Sequence, residues 1–230
     1  MSRATMADTA SALPRAPLFG IGACRVGTEV RDFEIGWPEI ERDTAWAASL
    51  LEASGVRSGD RALITLPNWE LPWGNPVIRA LRDRGVVYLP AEHYSWDARR
   101  VAHLVDSMRP RIFIGLCAET LDGLAGLGRD ATELLGGIEL VWARHDALGR
   151  LAEMGVTAMP FVPLGPALAM GTPGADAVVN ADEWAPGAVE GELLVSTIGD
   201  RAHTFTDIRT GIKGRWGAQT PLGVSVTFDL

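Results

Sequence analysis

Between residues 37 and 160 the apolar residues switch repeatedly between a helical and an extended spacing, and this alternation constrains the fold more than any other feature of the chain. Trp37, Ile40, Thr44, Ala47, Ala48 and Leu51 recur on one face and predict a helix over Pro38–Ser54, which Gly55 ends. Arg61–Leu66 reads as a short buried strand, and Glu70–Arg84 as a helix with Val77, Ile78 and Leu81 inward. The pattern then repeats. Strands are expected at Val86–Leu89, Arg111–Gly115, Ile138–Trp142 and Val156–Met159. Helices are expected at Trp96–Met108, near Ala118–Leu135 and at Asp146–Met154. Strands and helices in strict alternation imply a parallel sheet with right-handed crossovers and helices on both faces, an α/β fold.

The pattern changes after residue 160. Phe161–Asp176 is dense in Pro and Gly and reads as a loop. Glu192–Ser196, Ala202–Ile208, Gly211–Trp216 and Gly223–Asp229 read as short antiparallel strands. The expected organisation is an arm over residues 1–27, an α/β domain over 28–160 that opens with a strand at Thr28–Ile35, and a small β subdomain over 161–230 packed on it.

The net charge of −8 argues against nucleic acid and anionic membrane partners, both of which need a Lys/Arg surface. No apolar run reaches the roughly 20 residues that span a bilayer, and the first twenty residues lack the apolar stretch of a signal peptide. Cys24 and Cys117 are too few to staple the chain and read as reduced thiols of a cytoplasmic protein. No Cys/His cluster has metal-ligand spacing.

Several segments, in order, resemble the adenylate-forming ligases, the acyl-CoA synthetase class. Gly55-Val56-Arg57-Ser58-Gly59-Asp60-Arg61 is similar to that family's "GVxxGDRV", Leu66-Pro67-Asn68 to its "LPN" strand end, and Gly85–Pro90 to its "GAVYVP". Ser95–Asp106 resembles the "PAERLAHLLED" helix and Arg109–Gly115 the strand after it. Later, Gly187–Thr197 is similar to "GExGELVVT", and Asp207–Ile212 to the "RYRTGDL" of phenylacetate-CoA ligase-like members. The resemblance implies a trimmed ligase N-terminal domain.

The departures bear on chemistry. No stretch fits the "SGTTGxPK" loop whose backbone N–H groups and lysine cradle ATP phosphates. Leu164–Leu168 offers no carboxylate where the family holds magnesium, and the ribose-binding Asp corresponds to Ile212. The lid domain with its catalytic lysine is not expected within a chain ending at Leu230. The resemblance therefore implies no nucleotide cofactor and no ATP-dependent ligation, since adenylation needs charge stabilisation at the departing pyrophosphate.

Candidate site residues cluster at predicted strand ends, where open α/β sheets bind ligands. Glu92 and His93, followed by Tyr94, are candidates for acid–base work, with a solvated loop as the plainer reading. Asn68, Trp69 and Trp73 are candidates for an aromatic wall. On the expected late strand, His203, Phe205, Asp207 and Arg209 alternate onto one face and could meet a carboxylate or thioester carbonyl. Cys117 reads as an inert thiol. Two functions remain open. One is a repurposed protein that binds a small carboxylic acid or an aromatic or acyl ligand and turns it over without ATP. The other is a non-catalytic scaffold for a partner enzyme. Loss of a middle segment would bare strand edges, so a homodimer or a partner protein is expected to cover them.

Overall fold

The computed structural model describes residues 17–26 and 29–230. Strands β1 (Gly20–Val26) and β2 (Glu29–Ile35) form an antiparallel ribbon. The described end of the expected arm is thus a strand. Helix α1 (Trp37–Ala53) follows, with Pro38 in its first turn and Ile40, Ala47, Leu50 and Leu51 buried. The alternation predicted from the apolar spacing then appears: β3 (Arg61–Thr65), α2 (Leu71–Asp83), β4 (Val87–Ala91), α3 (Ala98–Met108) and β5 (Ile112–Leu116). Next come α4 (Ala118–Gly126), α5 (Ala131–Leu135), β6 (Leu140–Ala143), α6 (His145–Glu153) and β7 (Met159–Leu164). The single helix expected near Ala118–Leu135 is two. Gly128, at φ +70°, turns the chain, and the Asp130 carboxylate restarts it by accepting the Thr132 and Glu133 N–H groups.

Strands β4, β3, β5, β6 and β7 lie side by side in that order, all parallel. The chain steps from β3 outward to β4, then crosses back over β3 to β5. The crevice between the ends of β3 and β5 is therefore the topological switch point. Side chains alternate across the sheet. Ala62, Ile64, Ile112, Ile114, Leu140 and Trp142 pack in one core with α1 and α2. Leu63, Phe113 and Val141 pack in the other with α3, α4, α5 and α6.

Beyond β7 the sheet continues antiparallel through β8 (Ala167–Met170), β9 (Ala177–Val179), β13 (Gly223–Phe228), β12 (Ile208–Thr220), β11 (Glu192–Thr197) and β10 (Trp184–Val189). It curls so that β11 and β12 also contact β7. The division drawn at residue 160 falls inside β7, within one continuous sheet.

Two readings need correction, and one strand, Trp184–Val189, was not expected. Residues 161–170 are not a loop: β7 and β8 form a hairpin around Gly165-Pro166, with Gly165 at φ +63°. Burial of Phe161, Val162, Leu164, Ala167 and Ala169 outweighs the Pro and Gly signal. Trp184–Val189 is a strand despite Pro186, because β10 is an edge, where proline is tolerated. Ala202–Ile208 is not a strand. The chain there is anchored instead by Arg201, whose guanidinium donates to Asp43 (2.8 Å) and Glu183 (2.8 Å), and by the Ala202 N–H on Glu39 (2.7 Å).

The free margin of β4 is blunted. The Val87 N–H donates to the Asp60 carbonyl, so residues 87, 89 and 91 face β3, and Tyr88 and Pro90 face outward. Pro90 has no N–H, and Arg100 Nε occupies its carbonyl (2.9 Å). Strand addition there finds one outward N–H, that of Tyr88.

Gly115 ends the β3–β5 pairing. It sits at φ +90°, and a Cβ there would lie 2.5 Å from the Thr65 carbonyl oxygen. The β5–β6 register shifts at this point between Ile114 and Leu116, so that Leu116 stays in the core and Cys117 lines the crevice. Gly115→Ala should lower unfolding free energy by about 2–4 kcal/mol from backbone strain and overlap, read as a lower urea midpoint at unchanged slope.

Candidate functional site

A cleft of about 320 Å³ opens at the switch point. Three strand ends supply its floor: Glu70 after β3, Cys117 after β5 and Arg144 after β6. Arg144 reaches across the end of β5 to form a bidentate ion pair with Glu70, its Nη1 3.0 Å from Oε1 and its Nη2 on Oε2. The pair is sunk into the protein, with side-chain exposures of 12% and 4%. Arg144 Nε is sealed from solvent without a partner.

The walls are aromatic. Trp73 is buried and donates its Nε1–H to the Ala23 carbonyl (2.9 Å), while the Ala23 N–H donates to the Trp69 carbonyl (3.2 Å). The β1–β2 ribbon is thereby clamped beside the cleft, which Cys24 and Arg25 also line. Burial, offset in part by Arg31, pushes the Cys24 thiol up to about 11, so it stays protonated. Trp69 Nε1–H donates to the Tyr94 hydroxyl (3.3 Å), and the Tyr94 ring packs on His93 with centroids 4.2 Å apart.

His93 lies on a loop pinned to the start of α4. Its carbonyl accepts from the Thr120 hydroxyl (2.7 Å) and the Cys117 thiol (3.3 Å). The Glu119 carboxylate accepts from the Ser95 N–H (3.0 Å). The imidazole Nδ1 is sealed from solvent and unpartnered. Burial, then the positive charge of Arg144, lower the His93 pKa to about 4. The ring is neutral at neutral pH. Protonating it would put a buried N–H with no acceptor near a guanidinium, so proton abstraction is disfavoured. A neutral imidazole that hydrogen-bonds a ligand oxygen fits better.

The sequence candidates separate into three places. His93, Trp69 and Trp73 line this cleft, with Tyr94 behind them. Glu92 and Asn68 line a different cleft beside β4, so Glu92 and His93 do not act on one ligand as an adjacent dyad. His203, Asp207 and Arg209 line neither. The expected common strand face does not form: Asp207 adopts φ +47° and bonds Ser196, and the strand begins only at Ile208. The His203 ring packs on Phe205 with centroids 4.6 Å apart, and Arg209 pairs with Glu192 on the surface. Glu70 and Arg144 were missed. Their signal was present in part, since Arg144 directly follows β6 and Glu70 lies in the turn between β3 and α2, but it needed the strand order.

Thr210 and Ile212, from the second ligase-like stretch, line the same cleft as Trp69 and His93 from the first. The Thr210 hydroxyl donates to the Leu193 carbonyl (2.9 Å). Among the described residues no cluster of His, Cys, Asp and Glu could hold a metal ion, and no helix is long and apolar enough to cross a membrane.

No protein-family model and no curated protein sequence matches the chain. Solved structures do. An open conformation of 2-hydroxyisobutyryl-CoA ligase, in complex with its acyl-adenylate and CoA, superposes at TM-score 0.65 and 12% identity, over 93% of this chain and 56% of that one. The ATP-bound RpMatB-BxBclM chimera superposes at TM-score 0.59 and 13% identity, over 97% and 52%. A malonyl-CoA ligase with methylmalonyl-CoA and AMP bound gives 0.53 and 18%, over 90% and 52%. The chain has the fold of the acyl-CoA ligases it superposes on and spans about half their length.

Two outcomes test the site's electrostatics. Glu70→Ala strands a buried guanidinium and should cost about 3–5 kcal/mol, whereas Glu70→Leu with Arg144→Met should recover most of the loss, measured by urea unfolding. The His93 pKa is depressed from 6.5 to about 4 in the folded chain. Between those values the unfolded chain binds more protons, so the stability contribution is full above pH 6.5 and is lost as pH falls through about 4. His93→Gln should flatten that segment of the stability–pH curve.

Proposed function

We propose that the chain binds a small organic acid or acyl group in the switch-point cleft and does not adenylate it. One observation carries the reading: a neutral His93 and the Glu70–Arg144 pair converge with Trp69 and Trp73 on one cavity at the ends of parallel strands. The ligand's flat or aliphatic part lies along the tryptophans. Its carbonyl or carboxylate oxygen accepts from His93, near the positive charge of Arg144. A neutral imidazole so placed polarises a carbonyl and favours an ATP-independent step, such as cyclisation or elimination, over base catalysis by His93 itself.

The missing phosphate cradle supports the ATP-independent part. The only lysine in the sequence is Lys213, on exposed β12, far in the chain from any glycine-rich turn before a helix. Ile212, at the position of the family's ribose acceptor, lines the cleft with hydrocarbon. The ligands of the solved ligases, 2-hydroxyisobutyryl and methylmalonyl groups among them, suggest the size class.

The scaffold reading and the expected dimer draw on Val87 and Trp96, 56% and 70% exposed at the β4 margin. The blunted backbone beside them weighs against strand-on-strand assembly.

The test is calorimetric titration with phenylacetate, benzoate and 2-hydroxyisobutyrate, with and without ATP and magnesium. At least one acid should bind without nucleotide, and His93→Phe should weaken it roughly tenfold, the value of one hydrogen bond to a charged group. Acid-dependent release of pyrophosphate, or no binding by any acid, would overturn the proposal.

A further inference from the structure

Residues 198–207 form a strap between β11 and β12, held against α1 and the turn before β10 by charges that do not balance. Three carboxylates meet there: Glu39 and Asp43 on α1, and Glu183 before β10. Two guanidiniums answer them, Arg42 and Arg201. The Glu39, Glu183 and Arg201 side chains are all buried, at 2%, 2% and 6% exposure. The count leaves one buried negative charge in excess, and a buried charge without a partner is costly.

The excess falls on Glu39. Glu183 accepts from both guanidiniums, Arg42 Nη2 at 3.1 Å and Arg201 Nη1 at 2.8 Å. Asp43 accepts twice from Arg201, at 2.8 and 3.3 Å. Glu39 has Arg201 Nη2 only at 3.8 Å, beyond hydrogen-bond reach, and its Oε2 accepts the Ala202 N–H (2.7 Å). Asp43 stands one turn along the same face of α1, where a second carboxylate repels the first. Burial, with Asp43 adding to it, holds the Glu39 carboxyl above the usual carboxylate range, against the pull of the Ala202 N–H and Arg201. Burial pushes Asp43 up as well, but its two bonds from Arg201 favour the ionised form. Glu41, Asp182 and Asp200 lie on the same segments and are exposed, and His203 is half-buried against Phe205.

We propose that Glu39 is the seat of a proton-operated latch: with its proton, two carboxylates face two guanidiniums and the strap is held closed, and without it the strap loosens. The neutral carboxyl keeps an oxygen that accepts the Ala202 N–H. Once the strap opens, Glu39 is solvated and returns to its ordinary value of 4.5. A carboxyl whose value in the closed form lies above that one stabilises the closed form at low pH. The contribution is lost as pH rises from 4.5 through the raised value. The sense is opposite to that of His93, whose contribution is lost as pH falls. The strap leads into β12, whose Thr210 and Ile212 line the switch-point cleft, so the latch acts on one wall of that cleft. The inference does not depend on the acid-binding reading.

The experiment is amide hydrogen exchange of the full chain, followed by NMR from about pH 5 to about pH 8 and expressed as protection factors, so that the intrinsic rate drops out. Ala202, bonded to Glu39, and Ile198, bonded to the Glu183 carbonyl, report on the strap. Val87, bonded to the Asp60 carbonyl at the far margin of the sheet, is the reference. Relative to Val87, protection at Ala202 and Ile198 should fall with rising pH by about tenfold for each unit by which the closed form raises the Glu39 carboxyl. Glu39→Gln keeps an acceptor oxygen and removes the charge, and it should hold Ala202 protection at its low-pH level throughout. Carbon NMR of the Glu39 carboxyl in the unaltered chain needs no variant and should show titration above 4.5. Constant Ala202 protection in the unaltered chain, the same pH dependence in Glu39→Gln, or Glu39 titrating at or below 4.5 would overturn the proposal.

Discussion

The ion pair between Glu70 and Arg144 ties together the ends of β3, β5 and β6, and the geometry of the switch-point cleft depends on it. Each partner alone would be a buried charge costing several kcal/mol. Together they are tolerated, because two parallel hydrogen bonds offset the desolvation. The pair also acts beyond itself. Its guanidinium is one of the two causes that lower the His93 pKa, after burial. The same guanidinium that closes the sheet's end therefore adds to burial in keeping the His93 ring neutral.

A second constraint is closeness of backbone. Gly115 lets β5 approach the Thr65 carbonyl and then turn away, which opens the crevice. Cys117 follows at once, caps α4 and holds the His93 loop through its thiol. One glycine thus links a local bulge to the placement of a side chain on another loop. The β1–β2 ribbon completes the enclosure through Trp73, whose indole bonds Ala23.

The parallel half was legible in the sequence because its signal is local. Amphipathic spacing in Trp37–Ala53 and apolar runs such as Ala62–Ile64 report burial by elements close in the chain. The antiparallel half was less legible. Pro163, Gly165 and Pro186 signal breaks, yet tertiary burial and an edge position accommodate them. The candidate site divided in the same way. Trp69, Trp73 and His93 were found from strand ends. Glu70 and Arg144, 74 residues apart, meet only through a strand order that spacing does not encode. His203, Asp207 and Arg209 were lost because a buried guanidinium, Arg201, anchors the segment before them. Glu92 and His93 look like a dyad on paper, but just past the end of β4 they line two different clefts.

The ligase-like halves of the chain, more than a hundred residues apart, converge on one cavity through Trp69, His93, Thr210 and Ile212. That convergence is why we propose this cleft as the place of any retained chemistry. Its central claim concerns His93: a neutral ring that meets an acid's oxygen without nucleotide. Nitrogen NMR of the labelled imidazole at neutral pH, before and after adding the tightest-binding acid in the absence of ATP, reads this directly. The account predicts an uncharged His93 whose ring nitrogens shift on ligand addition while His103 and His203 do not. An imidazolium at neutral pH, or a shift that occurs only with ATP and magnesium present, would contradict it.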